Sequence, residues 1–189
     1  TWQDAPVPTI VFVHAHPDDE ASQTSGSMAL AVRAGHRVVV VFATNGEHGE
    51  VPDDLGEEPL ADYRRREAQA SADVIGTHRV CWLGYSDSGM SGWAANEDPA
   101  SFHRAPLDEA AGRLAAILDE EDADLVVGYD WHGGYGHPDH VKVHHVTRRA
   151  AQLARRTPRL LEQTMNRDHM RRLFEMAQAA GMDGGWDPD

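Results

Sequence analysis

The segment His14-Ala15-His16-Pro17-Asp18-Asp19-Glu20 sets two histidines and three carboxylic acids around one proline, directly after the apolar run Ile10-Val11-Phe12-Val13. These residue types bind cations and move protons. A phosphate-binding turn at such a place would be glycine-rich and would present backbone N–H groups at a helix N-terminus. Three carboxylates would repel a phosphate, whereas they suit a divalent metal. Asp18 or Asp19 is also expected to help cap the helix that follows. Capping needs one acid and no histidine, so it leaves most of the cluster without a purpose.

A second cluster, "DWHGGYGHPDH" at 130–140, offers the further ligands a single metal ion needs. Five of the twelve histidines fall between His132 and His145. His137 and His140 form an H-x-x-H pair across an expected helix start, and His140 and His144 share a helical face at i, i+4. Spacing alone does not choose among them, although His137 and His140 are better placed than His144 and His145. Asp139 is expected to cap the helix after Pro138. His14 reads as a structural residue or a supporter of a ligand, and Glu20 as a support for a ligand or the start of a helix.

The elements that must position these clusters read as alternating strands and helices. Thr9–His14, Arg37–Ala43, Arg79–Leu83 and Asp124–Tyr129 are short apolar runs that predict four buried strands. Helices are expected over Asp19–Ala34, Leu60–Ile75, Leu107–Leu118, Asp139–Arg155 and Arg167–Ala180. Strands apolar throughout, alternating with amphipathic helices, predict an α/β fold: a single Rossmann-like domain over 1–189, with a mostly parallel sheet and helices on both faces. Ligands bind such sheets at the carboxyl ends of the strands, where both clusters fall. The loop 84–104, with Trp93 and Phe102, is expected to line the pocket. The stretch 156–189 reads as the start of a C-terminal segment, truncated or disordered.

The rest of the chain limits the partners. A formal charge of -14 argues against nucleic acid and anionic membrane. No apolar run reaches the ~20 residues of a membrane span. One cysteine, Cys81, excludes an internal disulfide and reads as a buried hydrophobe in a cytoplasmic protein. Oligomeric state is not legible.

"AHPDDE" at 15–20, followed about 120 residues later by "HPDH" at 137–140, resembles the double signature of the LmbE-like, or PIG-L-type, zinc-dependent N-deacetylases. With "RRRE" at 64–67, "LGYSDSGM" at 83–90 and "GGYGHPDH" at 133–140, the chain looks most like the branch holding the mycothiol-biosynthesis deacetylase and the mycothiol S-conjugate amidase. The resemblance implies His16, Asp19 and His140 as ligands of zinc, with iron(II) or another divalent metal as alternatives. It implies Asp18 as general base and then acid, His137 as stabiliser of the oxyanion, Tyr135 as a polariser of the acyl carbonyl, and Arg64 and Asp87 as holders of polar substrate groups. Pro17 would bend the chain so that His16 and Asp19 face one ion while Asp18 stays free.

The implied activity is removal of an N-acetyl group from an amino-sugar conjugate such as N-acetylglucosaminyl-inositol. Cleavage of a larger amide, in a thiol conjugate or an antibiotic intermediate, is a variant of it. A phosphoesterase would want basic residues that 130–140 lacks. A non-catalytic sugar- or metal-binding module would have no use for Asp18. Members of this branch are usually longer at the C-terminus, and His48 stands where many relatives carry arginine.

Overall fold

The computed structural model of the chain describes residues 7–53 and 55–182. Five parallel strands form one sheet in the order β3-β2-β1-β4-β5: β1 (Thr9–His14), β2 (Arg37–Thr44), β3 (Arg79–Tyr85), β4 (Leu125–Tyr129) and β5 (Arg159–Gln163). The chain winds outward from β1 to β3, then returns to the other side of β1 with β4. The carboxyl ends of β1 and β4 are therefore neighbours at the point where the winding reverses, the place where such sheets hold ligands.

Strand alternation divides the core. Val11, Val13, Val39, Val41, Cys81 and Leu83 point to one face. There they meet Ala110, Leu114 and Leu118 of α4 (Leu107–Glu120) and Val143, Val146 and Ala150 of α6 (Pro138–Leu153). Phe12, Val38, Val40 and Phe42 point the other way, to Met28 of α2 (Ser25–Arg33) and Ala68 of α3 (Leu60–Ile75). Each large apolar side chain so buried contributes about 1.5–3 kcal/mol.

The departures from the expected elements are local. The helix expected over 19–34 is two, α1 (Asp19–Gln23) and α2, broken at Thr24 with φ −130° and ψ −3°. The Ser/Thr/Gly run at 24–27 propagates a helix weakly, and the Thr24 hydroxyl is hydrogen-bonded to His14 in the core. No strand was expected at β5, an exposed edge whose apolar signal is only Leu160 and Leu161. The loop after β4 contains a helical turn, α5 (Gly133–Gly136). Phe102 is fully buried against Tyr85, with ring centroids 5.3 Å apart, and so belongs to the core rather than to the pocket. Beyond β5 lies α7 (Arg167–Ala179), which buries none of its residues. The end of the segment expected at 156–189 falls outside the described residues from 183 onward.

At the opposite end of the sheet Glu121 accepts from Arg37 Nε at 2.6 Å and from Arg79 Nη1 at 2.7 Å, tying β2 and β3 to the end of α4. The Arg37 hydrogen bond, with Arg79 beside it, holds the Glu121 carboxyl below its ordinary value against the opposing effect of burial. Stability from these pairs is complete above a glutamate's ordinary pKa of 4.5 and drains away as pH falls through the lowered folded value. Glu121→Gln is expected to cost about 1–3 kcal/mol at neutral pH. Urea titrations at pH 7 and below 4 should show that loss shrinking on acidification.

Candidate active site

His16 opens the turn after β1. Its Nε2 lies 3.2 Å from Asp139 Oδ2 and 3.4 Å from Asp87 Oδ1, so it carries the proton and donates. His140, on α6, turns its Nδ1 to the Gly133 carbonyl at 3.1 Å; a carbonyl only accepts, so Nδ1 is the protonated nitrogen there. The two remaining lone pairs, His16 Nδ1 and His140 Nε2, face each other at 3.4 Å. Asp19 joins them, with Oδ2 3.5 Å from His16 Nδ1 and Oδ1 3.3 Å from His140 Nε2. All three residues are buried.

Three acceptors thus converge with no donor among them, an arrangement that repels itself unless a cation or a proton lies between. The spacing suits a metal, because neighbouring ligands of tetrahedral zinc, at ~2.0–2.1 Å from the ion, stand about 3.4 Å apart. His137 also offers an atom within 4.8 Å of the His16 and His140 ligand atoms. Electrostatics points the same way. Burial opposes a charged His16, yet hydrogen bonds to Asp139, Asp19 and Asp87 outweigh it and raise its pKa well above the ordinary histidine value. Burial likewise opposes ionisation of Asp19, but its pairing with the His140 and His16 rings holds its pKa well below that of a free carboxyl. The site favours positive charge at its centre.

Neither expected acidic cap forms. Asp18 occupies the N-cap position of α1 without a side-chain cap bond, at φ 106°, a conformation a non-glycine residue adopts only under constraint. Asp19 instead accepts from the His16 backbone N–H at 2.8 Å. Asp18 is not among the converging acceptors; its carboxylate pairs with Arg64, whose guanidinium also donates to Gly46 O at 2.7 Å and Pro17 O at 2.8 Å. Glu20 completes the turn, accepting from Asp18 N–H at 3.0 Å and from Ser71 Oγ at 2.7 Å. The Asp18 side chain is 67% exposed. Partial desolvation raises its pKa modestly, opposed by the Arg64 charge. Of the three arginines in "RRRE", Arg64 alone is buried, while Arg65 and Arg66 lie on the outer face of α3.

Asp139 is not the cap of α6 either. His137 is, its Nδ1 accepting from Asp139 N–H at 3.1 Å. The neutral ring then keeps its proton on Nε2. Burial, with the charges of His16 and His140, pushes the His137 pKa down to about 4. The fully buried Asp139 carboxylate takes the Ser88 N–H at 2.9 Å and the Ser88 hydroxyl at 2.5 Å, besides His16. Asp139 and Ser88 were not expected in this role; their only signal is that they lie inside "HPDH" and "SDSG". Asp139→Asn is expected to weaken cation affinity about 10–100-fold by loosening His16, measurable by competition with a chromophoric chelator.

The remaining expected residues are distributed around a cavity of about 240 Å³. His16, Asp18, Asp19, Arg64, Asp87, Tyr135 and His137 line it, with His48, Met90 and Trp93 toward the mouth. Asp87 accepts from Gly89 N–H at 2.8 Å and His48 N–H at 3.3 Å. His16, foremost, with these donors, keeps the Asp87 pKa well below the usual range despite burial. Tyr135 is 60% exposed and its ring stands 4.9 Å from that of His140. Gly133, at φ 62°, admits no side chain, since a Cβ there would come within 2.6 Å of His140 Cβ. His144 is outside the cluster, its Nδ1 3.1 Å from the Tyr129 carbonyl. His14 is buried, bonded to Tyr129 and Thr24, and burial lowers its pKa to about 4. A larger depression of about 330 Å³ lies by Leu118 and Ala123, where Arg155 and Arg156 are paired with Asp119 and Asp122.

A doubly wound parallel sheet thus carries a His–Asp–His acceptor set at its switch point, with another carboxylate beside that set, an arrangement that could hold a metal ion on an α/β fold. The chain belongs to the PIG-L family: the family described as GlcNAc-PI de-N-acetylase matches residues 11–151. A relative from Thermobifida fusca, named 1D-myo-inositol 2-acetamido-2-deoxy-alpha-D-glucopyranoside deacetylase, is 43% identical over 75% of this chain and 53% of its own length. The chain spans little more than half the length of the curated relatives it matches. The N,N'-diacetylchitobiose deacetylase of Pyrococcus horikoshii superposes with a TM-score of 0.63 at 25% identity, over 80% of this chain and 51% of that one. A 4-carboxy-2-hydroxymuconate hydratase from Pseudomonas putida superposes with a TM-score of 0.60 at 25% identity, over 78% and 57%. The fold alone therefore does not choose the reaction. No helix among the described residues is long and apolar enough to cross a membrane.

Proposed function

We propose that this chain carries out metal-dependent hydrolysis of the N-acyl group of an amino-sugar conjugate such as N-acetylglucosaminyl-inositol. The observation that carries the reading is the set of converging lone pairs on His16, Asp19 and His140, with Asp18 and His137 at its rim. Those three residues would hold the cation. Histidine and carboxylate suit zinc, and would also accept iron(II) or another divalent ion. Bound there, the cation would supply Lewis acidity, lowering the pKa of a water to ~7 and polarising the acyl carbonyl.

The protein's own groups divide the remaining work. The Asp18 carboxylate accepts a proton from the attacking water as the C–O bond forms. Arg64 and the constrained backbone at φ 106° hold that carboxylate in place and keep it from turning onto the ligands. His137 Nε2–H donates to the acyl oxygen as it gathers negative charge. Tyr135, between glycines of positive φ, adds its hydroxyl to the same oxygen. When the C–N bond breaks, Asp18 returns its proton to the leaving amine. Asp87 and the cavity-facing edge of Arg64 hold sugar or cyclitol hydroxyls.

The test is incubation of the protein with N-acetylglucosaminyl-inositol and quantification of acetate and primary amine. Equimolar appearance of both is expected. Absence of both, with metal bound, would contradict the substrate. Met90 and Trp93, 44% and 49% exposed at the mouth, favour a second reading within the same chemistry, a larger amide in a thiol conjugate or antibiotic intermediate. A higher kcat/KM on such an amide than on the acetyl sugar would decide for it.

A further inference from the structure

We infer that Asp130 is a positioning residue for the cation: through the Gly133–Gly134 peptide it fixes the carbonyl that keeps the His140 proton on Nδ1 and leaves Nε2 free to ligate. The inference rests on the metal reading above and concerns a carboxylate outside the cavity.

Asp130 follows β4 and is tied to the end of β5. Its N–H donates to the Gln163 carbonyl at 3.1 Å, and its Oδ2 accepts from the Thr164 hydroxyl at 2.8 Å. Its Oδ1 accepts two N–H groups of the glycine turn, those of His132 and Gly134, each at 3.1 Å. Between them the Gly133 N–H donates to the Asp130 backbone carbonyl at 2.9 Å. Burial opposes ionisation of Asp130, but the Gly134 N–H, the Thr164 hydroxyl and the His132 N–H outweigh it and lower its pKa. The anchor of the turn is therefore a charged carboxylate at neutral pH.

The bond from Gly134 decides the geometry. Its N–H and the Gly133 C=O belong to one trans peptide unit, in which the two groups point in opposite directions. Asp130 Oδ1 holds the N–H end, and the C=O end faces His140 Nδ1 at 3.1 Å. Gly133 at φ 62° and Gly134 at φ 73°, ψ −77° offer little steric resistance to rotation of that unit. Rotated by half a turn, it would present an N–H to Nδ1. Nδ1 would then accept, the proton of the neutral ring would sit on Nε2, and the ligand atom of α6 would be lost. The Tyr129 ring, stacked on His140 with centroids 4.4 Å apart and planes 17° from parallel, fixes the plane of the imidazole but not its tautomer. Asp130 supplies that choice. Groups that orient a ligating histidine are worth about 10–100-fold in metal affinity, and acting through a peptide puts Asp130 at the lower end.

Zinc dissociation constants by chelator competition on the whole chain test this, with metal-free melting temperatures measured alongside. Asp130→Ala is expected to bind zinc about 10-fold more weakly than native. Asp130→Asn keeps an oxygen for the two N–H groups and can turn its amide to the Thr164 oxygen, so its affinity should stay within about 2-fold of native. In the zinc-loaded protein the His140 Nδ1–H, followed by proton–nitrogen NMR, should exchange with water faster in Asp130→Ala than in native or Asp130→Asn. A merely structural role would lower the melting temperature of Asp130→Ala and leave zinc affinity and that exchange alone. Native zinc affinity in Asp130→Ala would overturn the proposal. Should that variant not fold, Thr164→Val, which releases one tether at an exposed position, takes its place: affinity about 2–5-fold below native, restored in Thr164→Ser, is expected, and equal affinities for the two would overturn it. A native chain that binds no zinc would remove the metal reading and this inference with it, a result distinguishable from native binding that the variants leave unchanged.

Discussion

Asp18→Asn is expected to lower turnover by about 10²–10⁴-fold while metal binding persists. Asparagine tolerates positive φ better than most residues, so the turn at φ 106° survives the exchange. Arg64 loses its ionic partner but keeps Gly46 O and Pro17 O, so the loop remains held. The ligand atoms of His16, Asp19 and His140 are untouched. What disappears is the group that takes the proton from water and returns it to the amine. The loss should therefore fall on kcat, with zinc stoichiometry and substrate affinity near native. Steady-state kinetics with metal analysis on the same sample checks this, and retained turnover would mean that another base serves.

His140→Gln is expected to abolish activity by a different route. His140 is completely buried, its Nδ1–H fixed on Gly133 O, and its Nε2 is the one acceptor contributed by α6. Glutamine fills a similar volume, so the stack on Tyr129 collapses less than it would with alanine. An amide oxygen is a poorer ligand for zinc than imidazole. Removing one of three protein ligands should weaken affinity by about 10²–10³-fold, since structural zinc sites total ~10–16 kcal/mol over four ligands. Excess zinc should restore part of the activity in His140→Gln and none in Asp18→Asn. That contrast separates a ligand from a base.

Much of this site was legible because its chemistry is concentrated in two short segments. "HPDDE" and "HPDH" each follow an apolar strand, and the parallel winding brings their strand ends together. The expected cavity residues do come together around one space. What could not be read was which side-chain atom faces which neighbour. Asp139 sits where a helix cap belongs by position. Its burial beneath Ser88 depends on the fold of the loop 84–104, which sequence pattern does not specify. Only the resemblance separates Arg64 from Arg65 and Arg66 in the sequence; in the structure it is the path of the loop through Gly46 that makes it different. β5 was missed for a related reason: an edge strand with one half-buried side needs little hydrophobicity, and "RLLEQ" has little. Phe102 was misplaced because an aromatic residue in a polar loop reads alike whether it lines a pocket or plugs the core.

The central claim is that the converging acceptors of His16, Asp19 and His140 hold the cation on which N-deacylation depends. The most direct measurement is amine release from N-acetylglucosaminyl-inositol by protein stripped with chelator and then titrated with zinc. Activity that vanishes on stripping and returns in proportion to bound zinc, saturating near one ion per chain, is the predicted result. Amine release that continues undiminished in fully stripped protein would contradict it.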